Sequence, residues 1–149
     1  MDEYNLERFV KAQSASYGSY QVALNEIRSG RKRTHWMWYV FPQITGLGYN
    51  VSETTRRYEI NCMDEAARFL DHAILGSRLI EITSALLALR TNDAAAIFGA
   101  PDHLKLRSSM TLFSLVKSAP PIFQESLSKF FGGLPDLKTI EILESLGEF

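Results

Sequence analysis

Between Leu75 and Leu89 the apolar side chains Leu75, Leu79, Ile82, Leu86 and Leu89 recur at i, i+4, i+7, i+11 and i+14. That is the 3.6-residue repeat that lays one apolar stripe along a helix, so a helix here must bury the stripe and becomes the expected centre of the core. Gly76 near its start weakens it slightly. Runs of alternating Val, Ile and Thr that would build a sheet are scarce, and only His35 to Gln43 has strand-like alternation. The partners of the stripe are therefore expected to be helices.

Turn and cap residues mark out those partners. Leu6, Phe9 and Val10 follow Asn5 or Asp2 as cap, and Tyr17, Tyr20, Leu24 and Ile27 run from a Ser16 cap to a left-handed stop at Gly30. Asp64 opens a turn leading to Phe69 and Leu70 that breaks near His72. Asp93 to Phe98 is closed by Gly99 and Pro101, and Asp102 is positioned to cap a helix carrying Leu106, Met110 and Phe113. Pro121 suits the first turn of a helix with Phe123, Leu127 and Phe130 that stops at Gly132-Gly133, while Asp136 caps Leu137, Ile140, Leu143 and Leu146. The expectation is an all-α fold: a single compact domain, residues 1–149, of about seven or eight short-to-medium helices.

A chain of 149 residues with 46% hydrophobic content can fill one core. No repeat of about 20 to 50 residues recurs that would point to a solenoid. The longest apolar run, Trp36 to Phe41, is far short of the ~20 residues that cross a bilayer, and the first twenty residues lack a signal-peptide layout. A soluble, cytoplasmic protein with no membrane partner is expected. Cys62 has no disulfide partner, and His35, His72 and His103 are too scattered for a zinc spacing, so neither a metal nor a cofactor is indicated. The net charge of −1 and a pI near 6.3 argue against a nucleic-acid partner.

That near-zero balance is unevenly distributed. Residues 28 to 57 hold Arg28, Arg31, Lys32, Arg33, Arg56 and Arg57 against Glu53 alone, whereas residues 118 to 149 are net acidic. Embedded in the basic stretch is Thr34-His35-Trp36-Met37-Trp38-Tyr39-Val40-Phe41-Pro42-Gln43, with both tryptophans, followed by Gly46-Leu47-Gly48. Cationic groups neutralise phosphate or carboxylate, an indole stacks on a ring, and histidine moves protons near neutral pH. The competing reading is structural: cations at a helix end offset its dipole, six successive apolar residues cannot all face a ligand, and His35 or Gln43 can serve loop backbone.

The run Gly30-Arg31-Lys32-Arg33-Thr34-His35-Trp36-Met37-Trp38-Tyr39-Val40-Phe41-Pro42-Gln43 resembles a bacterial domain-of-unknown-function family, family 1810, sometimes labelled calpastatin. Further blocks resemble its pattern in order: Asn5 to Phe9 with Gln13, Tyr58-Glu59-Ile60, Leu75 to Leu79, Phe98 to Asp102 with Lys105-Leu106, and Ser108 to Phe113. The resemblance covers nearly the whole chain. It implies a mainly helical cytoplasmic domain with no established activity. Protease inhibition is not carried over, because calpastatin proper is long, repetitive and disordered, and this chain is too apolar for that.

Across the last two of those blocks Lys105, Ser108 and Thr111 share one face of a helix, with Ser109 on the adjacent face. Small hydroxyls there also suit a close helix contact. If the two motifs converge, Lys32, Arg33, His35, Trp36, Trp38, Gln43, Lys105, Ser108 and Ser109 form a site for a small anionic, phosphate- or carboxylate-bearing molecule. His35 is then the candidate acid or base, with Glu59, Asp64 or Asp102 available through the fold to orient it. The alternative is an adaptor or homodimerising module that docks through an exposed aromatic patch in residues 36–49.

Overall fold

The first helix starts where the Asp2 carboxylate accepts the backbone N–H groups of Leu6 and Glu7, at 2.6 and 3.0 Å. These bonds hold the Asp2 carboxyl below its ordinary pKa. Asp2 rather than Asn5 is thus the cap. The computed structural model describes residues 2–15, 17–48 and 52–148. Among them are ten helices and no strand: α1 (Glu7–Gln13), α2 (Tyr20–Arg28), α3 (Met37–Val40), α4 (Glu53–Arg57), α5 (Met63–Asp71), α6 (Leu75–Leu87), α7 (Ala94–Phe98), α8 (Asp102–Ser114), α9 (Ile122–Phe131) and α10 (Leu137–Ser145). The fold is all-α.

The boundaries follow the side chains available. Ser19 caps α2 by accepting from Val22 N at 3.2 Å, which leaves Tyr17 outside the helix and 92% exposed. The expected Ser16 cap lies outside the described residues. His72 ends α5, and its Nδ1 accepts from Ile74 N and Leu75 N to start α6. Asp93 caps α7 through Ala96 N, Gly132 closes α9 in the left-handed region, and Asp136 caps α10 through Thr139 N.

The strand-like alternation of residues 35–43 is not used as a strand. Trp36, Met37, Val40 and Phe41 are buried, with Pro42 following them, and i, i+1, i+4, i+5 is helical spacing, so one helical turn inserts these four into the core. Extended pairing begins only afterwards. Ile44 and Ile60 form an isolated parallel bridge, in which Ile60 N donates to Gln43 O and Thr45 N donates to Ile60 O, both at 2.8 Å.

The α6 stripe is buried at Leu75, Leu79, Ile82 and Leu86, against α2, α5 and α9. The more enclosed helix is α8, however, whose residues 108 to 113 are all buried and which packs on α5, α7, α9 and α10. A helix apolar on one side only would expose its other face; α8 tolerates burial all round because its interior polar residues are small hydroxyls, two of which, Ser108 and Thr111, bond back to the preceding turn. Thr111 Oγ1 donates to Arg107 O at 2.8 Å and accepts from Asp136 N at 2.9 Å.

Gly76 has a reason beyond propensity: a Cβ there would collide with the backbone carbonyl of Leu70, so α5 and α6 approach through its missing side chain. No helix among the described residues is long and apolar enough to cross a membrane.

Candidate functional site

The basic-aromatic loop is held by a carboxylate that the sequence reading did not select. Glu26, near the end of α2, accepts from Arg33 N at 2.8 Å, Thr34 N at 3.1 Å and the Trp36 indole N–H at 2.9 Å through one oxygen, and from Thr34 Oγ1 at 2.7 Å through the other. Burial alone would raise the Glu26 pKa, but these bonds outweigh it and keep the carboxyl below its ordinary value. Trp36 is wholly buried, with its ring against Phe41 and edge-on to Phe98. It belongs to the core rather than to a ligand-facing surface.

Lys32 turns inward from the same loop. Its ammonium lies 3.0 Å from Asp102 Oδ2, donates to Thr34 O at 2.6 Å and stands 5.1 Å from the Trp36 ring, with only 7% of the side chain exposed. Asp102 does not cap α8 as expected, because its two oxygens are taken by two lysines. The second is Lys105, at 3.2 Å from Oδ1, with its Nζ 5.6 Å from the Trp38 ring. Burial works against the Asp102 carboxylate, yet the bonds from Lys32 and Lys105 prevail and its pKa falls below the ordinary value. Two ammonium groups thus share one carboxylate, which leaves one surplus positive charge, and the more exposed bearer is Lys105.

Lys105 and Trp38 open onto a cleft of about 310 Å³, at the lower end of the ~300–1,000 Å³ usual for small-molecule sites. One wall is the paired segment of Gln43, Ile44, Tyr58 and Glu59; the facing wall is α8, with Leu104, Lys105 and Ser108, and the start of α10, with Asp136 and Lys138. Tyr58 is braced by Tyr39 and Phe9. The backbone behind it is tied to α1 by Arg8, which donates to Arg57 O at 2.6 Å and Glu59 O at 3.0 Å and pairs with the wholly buried Glu65 at 2.7 Å. Thr45 Oγ1 donates to Glu59 Oε2 at 2.5 Å, and Asp136 Oδ2 accepts from Ser108 Oγ at 2.9 Å and Thr139 Oγ1 at 2.5 Å.

Of the nine site residues expected from sequence, Trp38, Gln43, Lys105 and Ser108 line this cleft, and Lys32 is joined to it through Asp102. Arg33 and His35 are exposed and outside its lining, while Trp36 and Ser109 are in the core. The carboxylates considered for His35 are engaged elsewhere: Glu59 by Thr45, Asp64 by Tyr4 and Arg68, and Asp102 by the two lysines. The His35 ring has no hydrogen bond or ion pair among the described residues. Tyr58, Glu59, Leu104, Asp136 and Lys138 were not selected from charge and aromatic clustering. Tyr58-Glu59 did stand out as one of the resembling blocks.

A comparison with curated proteins finds no match. Among solved structures, the chain is similar to the crystal structure of the conserved hypothetical protein Rv1873 from Mycobacterium tuberculosis. The two share 43% sequence identity, with a TM-score of 0.90, over 96% of this chain and 99% of that one. The family model described as protein of unknown function, DUF1810, matches residues 3–143. The chain accordingly belongs to the DUF1810 family.

Proposed function

We propose that the cleft binds a small molecule bearing a phosphate or carboxylate, in a cytoplasmic protein that works as one domain. The observation carrying this reading is the Lys32–Asp102–Lys105 arrangement, in which the surplus charge is presented at the cleft by an ammonium fixed over Trp38. A pre-positioned cation needs little reorganisation to accept an anion, and a charge-assisted bond of this kind contributes about 1.5–3 kcal/mol. Lys138, on the same rim, adds attraction.

Thermal-shift titration with phosphorylated and carboxylated metabolites tests it. At least one compound is expected to raise Tm, and Lys105→Gln is expected to weaken that ligand by about 10- to 100-fold. If the folded protein responds to no anion, or if Lys105→Gln binds the ligand as tightly as the parent, the reading is refuted.

A second reading, docking of a partner or a second copy, keeps only part of its expected aromatic basis: Trp36 and Phe41 are buried, Trp38 and Tyr39 are partly exposed, and Tyr49 lies outside the described residues. What favours it is the exposure of Leu104, Leu134 and Leu137, at 50%, 62% and 67%, on or near the cleft rim. Sedimentation of the parent against Leu134→Ser/Leu137→Ser would reveal a dimer dependent on them.

A further inference from the structure

The anion accounts for only one end of the cleft. Glu59 and Asp136 also line it, so the lining as a whole carries no net charge: Lys105 and Lys138 are matched by two carboxylates. A site made only for an anion would be disfavoured by both carboxylates. Each has one oxygen engaged, Glu59 Oε2 by Thr45 and Asp136 Oδ2 by Ser108 and Thr139, while the other oxygen accepts no hydrogen bond among the described residues. The Gln43 side-chain amide likewise has no partner among them. None of these three groups is a buried orphan; the sole buried, unpartnered side-chain oxygen or nitrogen among the described residues is Ser109 Oγ. Three residues that line the cleft therefore each keep an acceptor without a partner among the described residues, two on the 43–59 wall and one at the head of α10.

Their placement constrains what can satisfy them. A flat heteroaromatic ring carries few N–H donors and holds them all in its own plane. A saturated ring carrying several hydroxyl groups sends donors outward in different directions and can answer both walls. It also offers C–H faces to the apolar surfaces of Trp38, Tyr58 and Leu104, and each hydroxyl given to a carboxylate makes a charge-assisted bond. Building on the anion reading above, we propose that the ligand is a sugar phosphate, free or as the sugar-phosphate part of a nucleotide. In this arrangement its phosphate meets Lys105, and its hydroxyls are accepted by Glu59, Gln43 and Asp136.

Calorimetric titration of the full chain tests this with four kinds of probe: inorganic phosphate, aldose and ketose phosphates of five and six carbons, mononucleotides, and the matching unphosphorylated sugars. At least one sugar phosphate or mononucleotide is expected to bind ten-fold or more tighter than inorganic phosphate. Glu59→Ala is expected to remove most of that advantage and, because it takes a carboxylate out of the cleft, to leave inorganic phosphate bound at least as tightly as in the parent. Glu59→Gln, which keeps an acceptor for Thr45, preserves the fold and should lower the advantage several-fold. A mononucleotide that binds no tighter than its sugar phosphate identifies the free sugar phosphate as the source; one that binds tighter identifies the nucleotide. Equal affinity for inorganic phosphate and every sugar-bearing probe, or a sugar phosphate advantage unmoved by both Glu59 variants, overturns the inference and leaves the anion reading intact. Failure of every phosphate to bind overturns this inference, and failure of the carboxylated metabolites as well overturns the anion reading.

Discussion

Glu26→Ala is the most informative perturbation of the loop, because one side chain supports four donors of unequal need. Three of them, Arg33 N, Thr34 N and Thr34 Oγ1, belong to exposed residues and can turn to water. The fourth, the Trp36 indole N–H, belongs to a wholly buried side chain and would lose its acceptor. Leaving a buried donor unpaired costs about 1–3 kcal/mol, with the larger values for a charged acceptor, and the exposed donors add roughly 0.5 kcal/mol or more. The expected loss is about 3 kcal/mol, read as the urea midpoint followed by tryptophan fluorescence, or as a fall in Tm of roughly 6–12 °C. Glu26→Gln, retaining one acceptor oxygen, should lose about half as much.

The pH dependence supplies an independent check. The folded Glu26 pKa lies below its ordinary 4.5 despite the opposing effect of burial. Its stabilisation is therefore complete above that value and is lost as pH falls through the lowered folded-state pKa. The gap between parent and Glu26→Ala should be constant near neutrality and narrow in acid. A loss below about 1 kcal/mol, or a gap that widens in acid, would refute the view that Glu26 organises this loop.

Two other substitutions probe the packing. Gly76→Ala places a methyl group against the Leu70 carbonyl and should cost about 3 kcal/mol, since backbone must move to make room; a Tm within a degree of the parent would contradict the close α5–α6 approach. Ser109→Ala removes a fully buried hydroxyl with no hydrogen-bond partner among the described residues and should stabilise by about 1 kcal/mol. Its Tm should rise by about 2–4 °C, and a fall would mean that the hydroxyl is satisfied after all.

What the sequence made legible depended on the range of the interaction. Asp93, Asp136 and Gly132 act within one turn of their own position, so their capping or stopping roles follow from local chemistry. Asp102 had the same local signature and another fate. Lys32, seventy residues earlier, competes for its carboxylate, and nothing in the neighbourhood of Asp102 announces that. Residues 35 to 43 were ambiguous for a different reason: a short aromatic run fits a strand or one helical turn, and tertiary burial of Trp36, Met37, Val40 and Phe41 decides between them.

The dense positive charge of residues 28 to 57 therefore divides by role. Arg31 and Arg33 remain at the surface, while Lys32 is internal and holds Asp102. Asp102 in turn holds Lys105, which reaches the cleft from α8. The motif around Trp36 thus serves as a scaffold: Glu26 fixes the loop, the loop fixes Lys32, and Lys32 fixes the carboxylate that aims the cleft's cation. Charge clustering drew attention to the segment that carries Lys32. It could not identify the residue that presents the charge, because that assignment depends on which ammonium is left in surplus once both have met the same carboxylate.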